Sequence, residues 1–383
     1  MNGKKIIRLS KSSISLKEIN AVQSVLKKEF LGMGSEVALF EKDLKDFLHN
    51  HKNRVICVNS GTAALHLSLM ALNLKKGSEV LVPSITYISS FQAVKTSGLI
   101  PIACDVNPMN GSLSIKDLKK RITSKTRAIM PVHLGGIAHD LDEIYKIAKE
   151  NNFRVVEDAA HAFGSKYKNK LIGSFGDVIC FSFDGIKNIS SGEGGAVITE
   201  DKTIAEKIED SRLLGVKKDS KRRYANLRSW DFECSEIGYR YHMSNIMAAI
   251  GRQQLKRLPT FALKRRSLAM NYVKMFRDIK NIIPLNNDFK NIVPHIFPVI
   301  VRGNKRDELK EYLLKNFVET GIHYKPNHLL ELFSDNLAPR PNSENLSRSL
   351  LSLPLHYDLK KSDQLKVVSL IKKFFKKTTN EYK

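Results

Sequence analysis

Short apolar segments alternate along this chain with segments whose apolar residues recur every three or four positions. The first kind is typical of buried strands, and the second of amphipathic helices that cover a sheet. Their alternation predicts an α/β fold with a mostly parallel central sheet and flanking helices. The predicted strands are Arg54–Val58, Glu79–Pro83, Ile100–Val106, Ala128–Val132, Arg154–Glu157, Asp177–Phe183 and Gly195–Thr199.

The helical pattern predicts two helices before the first strand and further helices between the strands. They are Leu16–Glu29, Glu36–Leu48, Ala63–Leu72, Tyr87–Thr96, Ile115–Arg121, Leu141–Glu150 and Ile204–Leu214. The segment Gly215–Ser235 is polar, basic and poorly periodic, so we predict a long loop there.

The last part of the chain repeats the helix and strand patterns on a smaller scale. Helices beginning at Ser244 and at Phe261 lead to a region near Pro284, followed by the strand His295–Val301 and the helices Arg306–Asn316 and Ser362–Phe375. We expect a large domain over residues 1–260, which includes the N-terminal helices. A smaller C-terminal α/β domain with a bridging helix would cover residues 261–383.

Composition agrees with a globular protein, since 42% of the 383 residues are hydrophobic and 27% are charged. No apolar run approaches the roughly 18 residues that a membrane helix needs, and the first residues lead into no signal-peptide pattern. The four cysteines are widely spaced and three lie within or beside apolar strands. We therefore expect reduced thiols, a cytoplasmic location, no membrane partner and no metal site.

The net charge of +24 raises the alternative of a non-catalytic regulator or a nucleic-acid binder. However, the basic residues are spread over many predicted helices, and no zinc-finger, RNP or basic-zipper pattern accompanies them. A basic enzyme whose substrate carries a diphosphate explains the charge more simply, so we expect no nucleic-acid partner.

One lysine stands out because it lies among small residues between an apolar strand and a glycine-rich turn. This is Lys187, within the segment Phe181–Gly195. An amine that is crowded against backbone and shielded from water has a lowered pKa and can attack a carbonyl carbon. The alternative is a solvated loop lysine, because most of the 63 Lys and Arg residues must lie on the surface.

Two further strand ends favour the reactive lysine. One apolar strand ends at Asp158, where open α/β sheets present side chains to ligands, and a carboxylate there can keep a heteroaromatic ring nitrogen protonated. For Asp158, a carboxylate that caps the turn after the strand is the alternative.

Another strand leads through Ser60, Gly61 and Thr62 into a helix, whose free N–H groups suit a phosphate. An ordinary helix N-cap would use the same residues.

A phosphate site, a carboxylate for a ring nitrogen and a reactive lysine together match the requirements of pyridoxal phosphate. With these segments in this order, the chain resembles the DegT/DnrJ/EryC1/StrS family of fold-type-I pyridoxal-phosphate aminotransferases that act on sugar nucleotides. The resemblance covers nearly the whole length. Its most specific segments are Pro131–Gly135, Glu157–His161, Phe181–Phe183, Lys187-Asn188 and Gly192–Gly195.

The resemblance implies a role for each residue of the cofactor site. Lys187 would form the Schiff base and move the proton during transfer, and Asp158 would hold the ring nitrogen. His161 would lie beside the phenolic oxygen of the ring, and Tyr87 would stack on the ring face, although a core aromatic is the alternative for Tyr87. The remaining cofactor residues would be Ser60, Gly61, Thr62 and Ser182 at the phosphate, and Asn188, which would shape the loop.

A later segment, Gly238–Ile246, resembles the one that a subunit lends to the cofactor phosphate of its neighbour. The resemblance therefore implies a homodimer with shared active sites. The chain has Arg240 where the family usually has Asn, and His242 where Arg is usual. Because arginine binds phosphate well, we expect Arg240 to fill this role.

The segment Gly321–His328 resembles the C-terminal loop that closes over the sugar nucleotide. The resemblance implies that His323, Tyr324 and His328 bind substrate. A turn with incidental polar residues is the alternative.

The reaction implied by the resemblance moves an amino group from L-glutamate, through pyridoxamine phosphate, to the keto carbon of a nucleotide-linked keto-deoxyhexose. Family members that act at C4 tend to read Lys-Asn-Ile-Thr-Thr-Gly-Glu-Gly-Gly around the lysine, which Lys187–Gly195 approaches. We therefore expect a 4-amino product for surface polysaccharide or related glycan synthesis. Transfer at C3 is the alternative. A sugar 3-dehydratase of the same fold would have histidine in place of Lys187.

Overall fold

Seven of the strands form one central sheet in the computed structural model, which describes residues 5–138, 140–228, 230–234, 236–286, 288–334 and 338–380. The strands of the described chain are β1 (Arg54–Val58), β2 (Glu79–Pro83), β3 (Ile100–Cys104), β4 (Thr126–Ile129), β5 (Arg154–Asp158), β6 (Lys166–Tyr167), β7 (Lys170–Leu171), β8 (Val178–Ser182), β9 (Gly195–Thr199), β10 (Ile282–Pro284), β11 (Phe297–Val301) and β12 (Leu350–Leu353).

The strand order in the central sheet is β1-β9-β8-β5-β4-β2-β3. Strand β9 runs antiparallel to both of its neighbours, and the remaining pairs are parallel. The prediction of a mostly parallel sheet is therefore confirmed. Because the parallel strands point the same way, the carboxyl ends of β1, β2, β5 and β8 lie along one edge, where ligands bind in α/β proteins.

Most helices lie where the periodicity predicts them; the exceptions are the two differences given below and α11, which was not predicted. They are α1 (Leu16–Lys27), α2 (Ser35–Leu48), α3 (Gly61–Ala71), α4 (Ile88–Thr96), α5 (Ile115–Arg121), α6 (Leu141–Asn151), α7 (Lys202–Ser211), α8 (Asp219–Tyr224), α9 (Asn245–Phe276), α10 (Arg306–Lys315), α11 (Pro341–Ser349) and α12 (Lys361–Asn380).

The two faces of the central sheet are covered by different sets of helices. Helices α2, α6 and α9 pack on one face, and α3, α4 and α7 on the other. Alternate strand residues enter the two cores, so Val155 faces the first set of helices and Val156 the second. By the same alternation, Glu157 faces the first set and Asp158 the second.

The C-terminal part is built on a three-stranded antiparallel sheet with the order β10-β11-β12. Its core joins this sheet to α10, α12 and the last turns of α9, which connects the two parts. The division between residues 260 and 261 would fall inside α9, and the two-domain boundary stays a prediction.

The prediction of separate helices from Ser244 and from Phe261 is wrong, because α9 is continuous through Pro259. Proline lacks the N–H that would donate to the carbonyl four residues earlier, and its ring crowds that carbonyl, but Pro259 lies on an exposed part of the helix. Buried residues on either side, including Leu258 and Phe261, hold both halves of the helix against the core.

The predicted loop Gly215–Ser235 contains the short helix α8, which is the second difference. Of this segment, Ser229 and Ser235 lie outside the described residues. The helix is held by a tertiary contact that its own polar sequence does not reveal. The fully buried guanidinium of Arg212 donates to the hydroxyl of Tyr224 (2.5 Å) and to Glu41 (2.7 Å).

Two further properties concern membrane-spanning helices and the cysteines. Within the described ranges, no helix is both long enough and apolar enough to cross a membrane. All four cysteines carry free thiols, and Cys57, Cys104 and Cys180 are buried whereas Cys234 is exposed.

Candidate active site

A cavity of about 420 Å³ opens at the carboxyl edge of the central sheet. It collects residues from four strand ends or the turns after them and from the C-terminal part of the chain. Ten of the predicted site residues line it: Ser60, Gly61, Thr62, Tyr87, Asp158, His161, Ser182, Lys187, His323 and Tyr324. The fold therefore brings together residues that are up to 264 positions apart in the sequence, from 60 to 324.

One end of the cavity is formed by the first turn of α3. The hydroxyl of Ser60 accepts the N–H of Ala63 (3.1 Å) and caps the helix. The N–H groups of Gly61 and Thr62, which precede the first intrahelical bonds, remain available to an anion. A Cβ on Gly61 would lie only 2.8 Å from the Cβ of Ser182, so glycine is needed for the strand end and the helix to meet here.

The carboxylate of Asp158 is buried at the end of β5 and held in place by two donors. The hydroxyl of Ser90 donates to Oδ2 (2.7 Å), and the N–H of Ala160 donates to Oδ1 (3.2 Å). Ser90 also hydrogen-bonds the hydroxyl of Thr86 (2.8 Å). These contacts fix the direction in which the carboxylate enters the cavity.

The amine of Lys187 enters the same cavity from a tight turn after β8. The turn is closed by the Lys187 N–H, which donates to the carbonyl of Asp184 (3.0 Å). Burial lowers the pKa of the Lys187 amine, and the carboxylates of Asp184 and Asp158 partly offset that effect. A larger share of this amine is therefore neutral near pH 7 than in an exposed lysine, and a neutral amine is nucleophilic.

Three imidazoles and a phenol line or border the cavity beside Lys187. The Tyr324 hydroxyl lies 3.3 Å from Nε2 of His161, and the rings of His161 and His295 are 4.3 Å apart. Burial, followed by the charges of Lys187 and His323, lowers the pKa of His161 well below its ordinary value. His161 is therefore neutral at physiological pH.

Three predicted site residues do not line the cavity of their own chain. Asn188 is buried and donates to the carbonyls of Phe163 and Val293 (3.0 Å each), which supports the prediction that it shapes the loop. His328 is also buried and hydrogen-bonds Ser84 (2.5 Å), an arrangement that includes no contact with the cavity.

The third of these residues, Arg240, has an exposed side chain on a segment fixed by its backbone. The N–H of Tyr239 donates to the carbonyl of Ser211 (2.6 Å), and the N–H of Tyr241 donates to that of Arg212 (3.1 Å). The side chain of Arg240 is exposed and does not line the cavity of its own chain.

Sequence reasoning missed Ser90, Thr86 and His295. Ser90 and Thr86 belong to the first turn of α4 and the residues before it, and only the three-dimensional contact with Asp158 distinguishes them from other buried hydroxyls. His295 precedes β11 in a region whose apolar pattern indicates a strand, so nothing local marks it as a neighbour of His161.

The model of the DegT/DnrJ/EryC1/StrS aminotransferase family matches residues 12–372 of this chain. The chain belongs to this family.

Relatives of known name agree with that assignment. The chain is 34% identical over 375 residues to GDP-perosamine synthase of Escherichia coli O157:H7, with 97% of this chain and 99% of the relative covered. It is 31% identical over 378 residues to UDP-4-amino-4-deoxy-L-arabinose–oxoglutarate aminotransferase of Shewanella sediminis, with 95% and 96% covered. The sugar aminotransferase Spr1654 of Streptococcus pneumoniae, described as putative and solved in its PMP form, superposes with a TM-score of 0.91 at 26% identity, covering 99% of this chain and 100% of the other.

This member of the DegT/DnrJ/EryC1/StrS family is an aminotransferase with pyridoxal phosphate as its cofactor. The residues of the cavity fit that cofactor. The α3 turn with Gly61 and Thr62 suits its phosphate, the buried carboxylate of Asp158 suits its ring nitrogen, and the shielded amine of Lys187 suits its aldehyde.

We predict that, in the cofactor-free protein, Lys187 becomes reactive towards an acylating reagent at lower pH than exposed lysines do. A lowered pKa means that the amine loses its proton, and so becomes nucleophilic, at lower pH. Trace acetylation at a series of pH values, read for each lysine by mass spectrometry, measures this. Asp184→Asn should shift the Lys187 profile to still lower pH, because the Asp184 carboxylate raises the pKa of this amine.

The matched control is Glu193→Gln, which removes another carboxylate that lines the cavity. We expect it to leave the Lys187 profile in place. A Lys187 profile that coincides with those of exposed lysines would show that the amine is not desolvated.

Proposed function

We propose that this enzyme transfers an amino group from L-glutamate to the C4 keto carbon of a nucleotide-linked keto-deoxyhexose. The observation that carries the proposal is the convergence of Lys187, Asp158 and the first turn of α3 on one cavity. Support for C4 comes from the segment Lys187–Gly195, which approaches the form typical of family members acting at that carbon, and from the relative whose name specifies a 4-amino sugar and oxoglutarate.

The cofactor, when bound, supplies an electron-withdrawing ring that stabilises negative charge on the carbon losing its proton. The protein's own groups provide the remaining functions. Lys187 accepts a proton at Nζ and returns it, which its shielded and partly neutral amine allows. The carboxylate of Asp158, oriented by Ser90 and the Ala160 amide, would keep the ring nitrogen of the bound cofactor protonated.

The substrate side of the cavity is formed by the C-terminal segment that carries His323 and Tyr324. Burial and the charge of Lys187 lower the pKa of His323 to about 4, so that this imidazole is neutral at pH 7. Its Nδ1 lies 2.8 Å from the hydroxyl of Ser352, a contact that orients the ring. Neutral donors and acceptors of this kind suit the hydroxyl groups of a sugar.

We further propose that the working unit is a homodimer in the cytoplasm that makes an amino sugar for surface polysaccharide or a related glycan. The exposed position of Arg240 supports shared active sites. The charge of +24 supports a substrate that carries a diphosphate.

The position of transfer can be tested with a panel of 4-keto and 3-keto sugar nucleotides carrying GDP, UDP or dTDP. With L-glutamate as donor, we expect the 4-keto compounds to yield amino sugar nucleotides and 2-oxoglutarate, both measured by mass spectrometry. Lys187→Ala is the control and should lose many orders of magnitude in rate, because it lacks the proton-transferring amine. Product from the 3-keto compounds alone would refute transfer at C4 and leave the aminotransferase assignment intact.

The shared site can be tested by mixing two inactive variants, Lys187→Ala and Arg240→Ala. A mixed dimer would contain one site with both residues intact and one site with neither. Random exchange makes about half of the dimers mixed, so about a quarter of wild-type activity should return.

The matched control mixes Lys187→Ala with Asp158→Asn. Both of these residues line the cavity of one chain, so every site in a mixed dimer keeps one defect and no activity should return. If a confirmed mixed dimer of the Lys187 and Arg240 variants also stayed inactive, Arg240 would not act across the interface.

A further inference from the structure

We propose that Glu157 and His133, which do not line the cavity, are positioning residues for His161. They hold a turn whose amide keeps the His161 proton on Nε2, the nitrogen that faces the cavity. The proposal goes beyond the site described above, because both residues lie on the opposite face of the sheet from Asp158. It rests on the proposed function in one respect only, namely that the group accepting a hydrogen bond from Nε2 of His161 is part of the bound cofactor.

Glu157 is fully buried and has two side-chain partners. The hydroxyl of Tyr145 donates to its Oε1 (2.5 Å), and Nε2 of His133 lies 2.7 Å from its Oε2. Burial and the nearby Glu157 carboxylate raise the pKa of Tyr145 well above its ordinary value, so the phenol keeps its proton and donates it. Because a buried carboxylate without partners is very costly, both contacts are strongly held.

The contact with Glu157 fixes His133 at the start of a tight turn. The N–H of His133 donates to the carbonyl of Asp158 (3.0 Å), so the backbone and the side chain of His133 are both tied to β5. The turn Leu134–Gly136 follows, with Gly135 and Gly136 at positive φ. A Cβ on Gly136 would lie 3.0 Å from the carbonyl of His161, which shows how closely this turn packs on that residue.

The turn directs one backbone amide at the imidazole of His161. The N–H of Gly135 donates to Nδ1 of His161 (3.3 Å). A nitrogen that accepts a hydrogen bond carries no proton, and His161 is buried beside Lys187 in its neutral form. The single proton of the imidazole is therefore on Nε2, which lies 3.3 Å from the hydroxyl of Tyr324.

This arrangement makes His161 a hydrogen-bond donor towards the cavity. With the other tautomer, Nε2 would be an acceptor, and it would repel a negatively charged ring oxygen of the cofactor if that oxygen were bound next to His161. The tautomer of His161 therefore determines whether this residue stabilises or opposes the negative charge. The hydrogen-bonded chain Tyr145–Glu157–His133 maintains that tautomer although none of its members hydrogen-bonds His161 directly.

The first test uses the wild-type, cofactor-free protein labelled with ¹⁵N-histidine. Long-range ¹⁵N–¹H correlation spectra report which nitrogen of each imidazole is protonated, and His161→Gln identifies the His161 signals by their loss. We expect a neutral His161 with the proton on Nε2 between about pH 6 and 8. A proton on Nδ1 would overturn the proposal. No substrate enters the measurement, so a failure of transfer at C4 would leave this result unaffected.

The second test removes the positioning residues. Glu157→Ala should convert the single His161 tautomer into a mixture, whereas Glu157→Gln should preserve it, because the amide can still accept from Tyr145 and donate to His133. If Glu157→Ala does not fold, His133→Phe keeps a ring of similar shape without the contact, and we expect the same mixture.

The control is Asp105→Asn, which alters another buried carboxylate that accepts from the backbone and hydroxyl of Ser343 (2.7 Å each). It should leave the His161 spectrum unchanged. An unaltered tautomer in Glu157→Ala or His133→Phe would show that these residues only stabilise the fold. The same mixture in Asp105→Asn would show that the tautomer responds to any loss of stability, and would also overturn the proposal.

Discussion

The partial burial of one amine, that of Lys187, is the constraint around which the active site is built. A lysine in water is protonated and cannot act as a nucleophile, so the fold must shield the amine while keeping the turn that carries it rigid. Hydrogen bonds hold both ends of this turn. At one end, the backbone of Phe183 donates to Gly194 and accepts from Ser191 (2.8 Å each). At the other end, Asn188 donates to carbonyls in both the large and the small parts of the chain.

The topology of the central sheet brings the other parts of the site to the same edge as Lys187. Parallel strands that end along one edge bring a helix N-terminus, a buried carboxylate and the lysine turn together, although each comes from a different strand. Strand β9 runs antiparallel between β1 and β8. A Cβ on Gly195, where β9 begins, would lie 2.5 Å from the carbonyl of Ser60, so glycine is required for β9 to pass behind the first turn of α3.

The sequence predicted the features that depend on local pattern. The sheet strands, most helices and the residues that meet at the strand ends follow from short-range periodicity and from motifs such as Lys187–Gly195. What it did not predict depends on contacts between distant segments. Helix α8 is held by Arg212, α9 continues through Pro259 because both halves are buried, and His295 meets His161 only after the small part folds back over the sheet. No local pattern encodes such contacts.

The central claim, that Lys187 is the residue to which the cofactor is covalently attached, is tested most directly by chemical reduction. Treating the cofactor-loaded enzyme with borohydride makes the linkage permanent, and peptide mass spectrometry then locates the phosphopyridoxyl group. The structure predicts this group on Lys187 and its loss in Lys187→Arg, which keeps a positive charge but lacks the amine. A phosphopyridoxyl group on any other lysine, or cofactor that binds without becoming attached to Lys187, would contradict the account.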